Sequence, residues 1–142
     1  MKIEIINEAT HELADAFQRL VPQLTRINPA PSLDFLTALV QSACSTLLIA
    51  RAEDGTMIGA LCLTVYRVPT GIRSIIEDVI VDGSARGKGV GEALMSRALA
   101  VAKEKGAAQV ALTSNPSREA ANRLYLRLGF KVRETNAYIY KF

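Results

Sequence analysis

The chain has 142 residues, of which 49% are hydrophobic and 22% charged, so it can fill the core of one domain, predicted to span residues 1–142, and is neither disordered nor fibrous. The net charge is +3 and the basic residues are scattered, so nucleic acid is only weakly indicated, a small anionic ligand suits the surface equally well, and no nucleic-acid partner is expected. No stretch approaches the roughly 20 apolar residues of a membrane span or resembles a signal peptide, so no membrane partner is expected and the predicted location is cytoplasmic.

The first half of the chain predicts a strand, two helices and a hairpin. β-Branched residues over 2–6 predict the first strand. Thr10 is the predicted N-cap of a first helix that Pro22 bends, and Ser32 is the predicted N-cap of a second helix. A change to alternating apolar residues then predicts two strands joined by a turn at residues 53–55.

The second half predicts a buried strand followed by alternating helices and strands. The nearly continuous apolar run "IRSIIEDVIVD" predicts a strand that is covered on both faces. A helix over residues 90–105, a strand "AQVALTS" and a helix from a Ser117 cap to Leu128 follow, and "FKVRE" and "AYIYKF" predict two closing strands. The whole order predicts an α/β (α+β) fold with about six to seven strands in a mixed central sheet and about four flanking helices.

Three glycines and two cations join the buried strand to the long helix: Arg86, Gly87, Lys88, Gly89 and Gly91. The spacing excludes a P-loop, because glycine rather than serine or threonine follows the lysine, and G-x-G-x-G is not the dinucleotide fingerprint. Glycines let the backbone approach a ligand closely, and the first turn of a helix presents free N–H groups to anions. The pattern therefore predicts a compact cradle for a pyrophosphate.

The pattern Arg86-x-x-Gly89-x-Gly91 resembles the signature of the GCN5-related N-acetyltransferase (GNAT) superfamily at the same strand–helix junction. A second stretch, "LTSNPSREAANRLYLRLGF", is similar to another block of that family, and the order of elements resembles its fold along nearly the whole chain. The resemblance implies an acetyl-CoA-dependent N-acetyltransferase that needs no metal. It also implies that the strand before the loop splays away from its neighbour at a bulge.

The resemblance implies three sets of residues that bind acetyl-CoA. The pyrophosphate would lie on Arg86, Gly87, Lys88, Gly89, Val90 and Gly91. The pantetheine arm would lie along the backbone of Val79, Ile80 and Val81, where an N–H would also stabilise the oxyanion, commonly worth about 3 kcal/mol per donor. From the second block, the set comprises Asn115, Asn122 and Tyr125.

Tyr125 shares one stripe of its predicted helix with Arg118 and Asn122. The resemblance implies that Tyr125 protonates the departing thiolate, because a phenol with a pKa near about 10 is protonated at neutral pH. The alternative is that Tyr125 packs against the sheet with its hydroxyl in water.

Glu77 and Asp78 are the only acids inside the buried strand. Strict alternation predicts that they face opposite sides of the sheet, so at most one addresses the acceptor. The resemblance favours Glu77 as the general base over Asp78 or a water relay. An ion pair with Arg73 or another cation explains these acids equally well.

The sequence leaves the acceptor amine open. The first two helices and the last strands carry no motif, so a small amine, an amino-sugar phosphate and a peptide or protein amine are all compatible. A non-catalytic module that binds or senses acyl-CoA on the same fold is the alternative function. The superfamily often dimerises through its terminal strands, and the alternating Tyr138, Tyr140 and Phe142 permit a homodimer here.

Overall fold

The computed structural model describes all 142 residues as four helices around one mixed five-stranded sheet. The strands, in sheet order, are β1 (Lys2–Ile6), β2 (Ser45–Arg51), β3 (Met57–Val68), β4 (Gly71–Val81) and β5 (Val110–Ala111). The helices are α1 (His11–Leu20), α2 (Leu33–Gln41), α3 (Val90–Glu104) and α4 (Glu119–Arg127), with 3-10 turns at Val21–Gln23 and Gly83–Ala85. Strands β1 to β4 are antiparallel, and β5 is parallel to β4.

Two of the three predicted helix caps are confirmed. The Thr10 hydroxyl oxygen accepts the N–H of Leu13 at 3.2 Å, and the Ser32 hydroxyl oxygen accepts the N–H of Phe35 at 3.1 Å. The predicted cap of α4 is wrong, because the residue before that helix is Arg118 and no side chain caps it. Ser117 lies in the preceding loop, where its backbone N–H donates to the side-chain oxygen of Asn115.

The sheet separates two apolar layers. The layer on the α3 and α4 side includes Leu61, Ile76 and Leu94, and the layer on the α1 and α2 side includes Phe17 and Ile80, all buried. Because Ile76 and Ile80 of one strand belong to opposite layers, the prediction that this strand is covered on both faces is confirmed. None of the helices combines the length and the apolar character that crossing a membrane requires.

The predicted six to seven strands are wrong, since the sheet has five. The predicted strand "AQVALTS" pairs at only two residues, and residues 130–134 and 137–142 form no strand. Val132, Tyr138 and Phe142 are almost fully exposed. Strand propensity reflects packing on neighbouring strands, and the tail after Phe130 lies along no strand of its own chain.

Strands β4 and β5 pair at only two positions. The two matched pairs are Ser74 with Val110 and Ile75 with Ala111, so residues 76–81 of β4 present an unpaired edge. We call this stretch the open edge. It leads directly into the glycine-rich segment before α3.

Candidate active site

The glycine-rich segment forms an open loop at the N-terminus of α3. Gly87 and Gly89 have positive φ angles of 73° and 78°, and no atom lies within 4 Å of where a Cβ would stand on either. The backbone N–H groups of residues 87–92 have no acceptor within the protein. The loop therefore presents a row of free donors at the positive end of a 15-residue helix, as an anion site requires.

Gly91 serves packing rather than backbone flexibility. A Cβ on Gly91 would stand 3.1 Å from Leu124 of α4, so its absence lets the first turn of α3 approach that helix. Arg86 donates to the carbonyl of Val81 at 3.3 Å and Lys88 to that of Ser84 at 2.9 Å. Both cations therefore lie at the rim of the loop.

An ion pair that sequence reasoning missed fixes the start of this loop. Asp82 pairs with Arg19 of α1 and accepts the backbone N–H and the hydroxyl of Ser84 at 3.0 and 2.7 Å. Gln23 accepts the backbone N–H of Gly83 at 2.8 Å. The hydrogen bonds from Ser84, and then the charge of Arg19, lower the pKa of Asp82. No local pattern marks a pair separated by 63 residues.

The open edge carries backbone groups that no strand uses. Ile80 pairs with Ala60 of β3, and its side chain is buried on the α1 side. Because backbone polar groups alternate between the two edges of a strand, those of Val79 and Val81 face the open edge. Arg118, just before α4, crosses the gap and donates to the carbonyl of Val79 at 3.0 Å.

The two asparagines of the second sequence block hold one loop together. Asn122 donates from its side chain to the carbonyl of Asn115 at 3.0 Å, and the Asn115 side chain accepts the N–H of Ser117 at 2.9 Å. The hydroxyl oxygen of Ser114 is buried there without a hydrogen-bond partner. These contacts fix the loop between β5 and α4, opposite the open edge.

A β-bulge places both strand acids on one face of the sheet. Ala60 pairs with Ile80 and Cys62 with Glu77, so β4 has one residue more than β3 over this step. Asp78 takes up the extra length with a φ of +52°, the one non-glycine residue in the left-handed region. The prediction that Glu77 and Asp78 face opposite sides is therefore wrong, because the bulge resets the alternation.

Residues 7–130 match the model of the "Acetyltransferase (GNAT) family". The chain belongs to the GNAT family. The GNAT resemblance read from the sequence is confirmed, and the chain is an acyltransferase. GNAT acetyltransferases use acetyl-CoA as co-substrate.

Two curated proteins and one solved structure illustrate the similarity. A probable glucosamine 6-phosphate N-acetyltransferase 2 of rice is 30% identical over 91% of this chain and 84% of its own length. A glucosamine 6-phosphate N-acetyltransferase of Trypanosoma brucei brucei is 33% identical over 63% of this chain, which matches only 60% of that protein's length. A Trypanosoma brucei acetyltransferase has the same fold, with a TM-score of 0.79 and 24% identity over 99% of both chains.

Tyr125 of α4 is buried on the α3 and α4 side of the sheet. It is 5% exposed in the layer beneath α3, and its ring lies 6.0 Å from that of Phe130. Burial raises the pKa of Tyr125, and the nearby charge of Arg118 only partly opposes this. The phenol is therefore protonated at neutral pH, as a general acid must be.

Glu77 has the electrostatics of a general base. Glu77 is exposed, but partial desolvation by its surroundings, and then the charge of Asp78, raise its pKa above the ordinary value. Neither acid forms an ion pair, and Arg73 instead donates to the hydroxyl of Thr70 at 2.9 Å, so the ion-pair interpretation is wrong. A carboxylate with a raised pKa and no cation can accept a proton from an ammonium group.

Proposed function

We propose that this GNAT chain transfers the acetyl group of acetyl-CoA to a primary amine, by direct attack within a ternary complex. The observation that carries the proposal is the continuity of the open edge with a loop of free N–H donors. A strand-like arm with amide groups can pair with the first, and a pyrophosphate can bind to the second. Acetyl-CoA has both parts in the same order.

The donor side uses residues from three elements. The pyrophosphate lies on the N–H groups of residues 87–92, with the positive charges of Arg86 and Lys88 at the rim. The pantetheine arm pairs with the backbone of Val79 and Val81 along the open edge. Asn115 and Asn122 support the opposite wall, and the side-chain oxygen of Asn122 is free to accept an N–H from the arm.

Each proton in the proposed reaction has a named source or acceptor. Glu77 takes a proton from the ammonium group, and the freed amine nitrogen bonds to the thioester carbon. A backbone N–H of the open edge donates to the oxyanion that forms. When the carbon–sulfur bond breaks, Tyr125 gives its phenolic proton to the thiolate. The second proton of the attached nitrogen passes through solvent to replace the one that Tyr125 lost, which leaves a neutral amide. Glu77 releases its own proton to solvent. Glu77 and Tyr125 lie on opposite faces of the sheet, so the proposed base and the proposed acid would reach the thioester from opposite sides of the gap between β4 and β5.

The test is release of the CoA thiol from acetyl-CoA in the presence of a panel of amines. Glu77→Gln should lower kcat by about 10²- to 10⁴-fold, the usual contribution of a general base. Because its pKa is raised, the acidic limb of the native pH profile should lie above the ordinary glutamate value. Tyr125→Phe should lower kcat more than it lowers acetyl-CoA affinity, measured by calorimetry.

Two results would contradict this proposal. An unchanged rate for Tyr125→Phe would remove that residue from the mechanism. Tight CoA binding without thiol release for any amine would instead support the acyl-CoA-binding module.

We further propose that the exposed tail, residues 131–142, pairs with a second copy of the chain. Its large apolar side chains are more than four-fifths exposed, and the outer edge of β5 has no partner. Reciprocal pairing of two tails would give a closed homodimer and cover this surface.

A further inference from the structure

A mostly apolar cavity of about 190 Å³ lies on the α1 and α2 side of the sheet. It reaches the bulge at Asp78, and 11 of its 16 lining residues are hydrophobic. Phe17 of α1 and Phe35 and Leu36 of α2 form part of its walls. We call this space the acceptor cavity, because it opens beside the two acids of β4.

The acceptor cavity is charged at one end only. Asp78 is the sole charged residue of its lining, which contains no lysine, arginine or histidine. Glu77 lies on the same face and adds a second negative charge beside it. Arg26 and Arg86 line a neighbouring polar groove, which shares Leu24 and Thr25 with the cavity, so their charges lie outside the cavity lining. The cavity therefore complements a molecule with a cation at one end and an apolar group at the other.

We propose that the acceptor is a primary amine joined through a short linker to an aromatic ring or a branched alkyl group. Its ammonium group lies beside Asp78, within reach of Glu77, and its apolar group fills the acceptor cavity. A dry apolar cavity of about 150 Å³ can hold benzene, so this one has room for a ring and a linker of about two carbons. The inference rests on the proposed acetyl transfer and specifies its second substrate.

The same charges disfavour a phosphorylated acceptor. The names of both curated relatives include glucosamine 6-phosphate, whose phosphate is anionic. In this cavity the phosphate would face the carboxylates of Asp78 and Glu77, and like charges side by side repel. The cavity lining itself supplies no cation. The acceptor inferred for this chain therefore differs from the one named for those relatives.

The test compares four amines with the full-length protein: 2-phenylethylamine, 3-methylbutylamine, ethanolamine and glucosamine 6-phosphate. We measure kcat/KM from the release of the CoA thiol. We expect it to be at least about tenfold higher for the first two amines, because ethanolamine lacks the apolar group that each of them would bury in the cavity. A preference for ethanolamine or glucosamine 6-phosphate would overturn the inference.

A binding measurement separates failure of this inference from failure of the proposed function. If no amine is acetylated, calorimetry with 2-phenylethylamine and CoA decides the matter. Binding of the amine without turnover would support the cavity assignment and contradict acetyl transfer. No binding of this amine would overturn the cavity assignment.

Asp78→Asn tests the charge without disturbing the backbone. Asparagine tolerates the left-handed conformation that Asp78 adopts, so the bulge is retained. We expect KM for 2-phenylethylamine to rise about tenfold or more, the loss typical of a charged hydrogen bond, with acetyl-CoA affinity unchanged. An unchanged KM would overturn the role of Asp78.

Phe35→Ala tests the apolar wall with a residue whose loss the fold tolerates, because Phe35 is 65% exposed. KM for 2-phenylethylamine should rise roughly fivefold, as expected when about 40 Å² of apolar contact is lost, while KM for ethanolamine is unchanged. Leu126→Ala is the matched control, since Leu126 is 57% exposed on α4 and lies outside the cavity. Equal effects of the two substitutions would contradict the assignment.

Discussion

The proposed binding of the pyrophosphate to the glycine loop can be tested with two glycines that have similar backbone geometry but lie in different parts of the chain. Gly89 lies at the N-terminus of α3 and Gly55 in the turn between β2 and β3, with φ angles of 78° and 87°. Neither has an atom within 4 Å of an added Cβ. Substitution by alanine therefore introduces the same backbone strain and no collision within the protein at either position.

The strain sets the expected loss of stability. An L-residue in the left-handed region costs roughly 1–2 kcal/mol relative to glycine. Both Gly89→Ala and Gly55→Ala should therefore lower the free energy of unfolding by about 1–2 kcal/mol. For a chain of this length each kcal/mol corresponds to about 3–5 °C in Tm.

Only Gly89→Ala should weaken acetyl-CoA binding. Its methyl group would stand above the free N–H groups of the loop and hold a pyrophosphate away from them. Hydrogen bonds to charged groups contribute about 1.5–3 kcal/mol each, so losing one raises Kd by about 10- to 100-fold. Gly55→Ala should bind acetyl-CoA as the native protein does.

Urea denaturation measures the stability of both variants, and calorimetry measures acetyl-CoA affinity. Equal Kd values for the two variants would refute the assignment of the pyrophosphate to this loop. A much larger loss of stability in Gly89→Ala would show that the space above the loop is not open, and the binding comparison would then lose its basis.

Two further predictions concern the anchor of the loop and the tail. Asp82→Asn should lower the free energy of unfolding by about 1–2 kcal/mol at neutral pH, because Arg19 and Ser84 lose a charged partner. The pKa of Asp82 is lower in the folded than in the unfolded chain, so this contribution to stability is present above about pH 4 and is lost as the pH falls through the pKa of the folded state. In urea denaturation, the difference in free energy of unfolding between the native protein and Asp82→Asn should therefore become smaller in acid. A difference that does not change with pH would contradict this prediction. Deleting residues 131–142 should convert a dimer of about twice 15.4 kDa into a monomer, measured by sedimentation. Equal association states of the native and deleted chains would contradict tail pairing.

The sequence predicts features that depend on neighbouring residues. Thr10 and Ser32 cap helices through hydrogen bonds that span three residues, and the glycine loop depends on its own backbone. The bulge at Asp78 depends instead on how β4 aligns with β3, so strict alternation placed the two acids wrongly. Strand pairing of this kind is set by contacts distant in the sequence.

The closing strands failed for a related reason. The alternating tail after Phe130 has the composition of a strand, but it pairs with no strand of its own sheet, although the outer edge of β5 is free. Similarly, the pair between Arg19 and Asp82 joins residues that no pattern relates. Single-sequence patterns describe what a segment can form, whereas the partner it meets is decided by the whole molecule.

The two arginines at the open edge also bear on solubility. An unpaired strand edge can template the addition of another chain, which is a common start of aggregation. Arg118 and Arg86 occupy the carbonyls of Val79 and Val81, the acceptors that an invading strand would use, and each brings a positive charge to the edge. These two contacts therefore shield an edge that also suits a strand-like arm, and both must give way where such an arm pairs with Val79 and Val81.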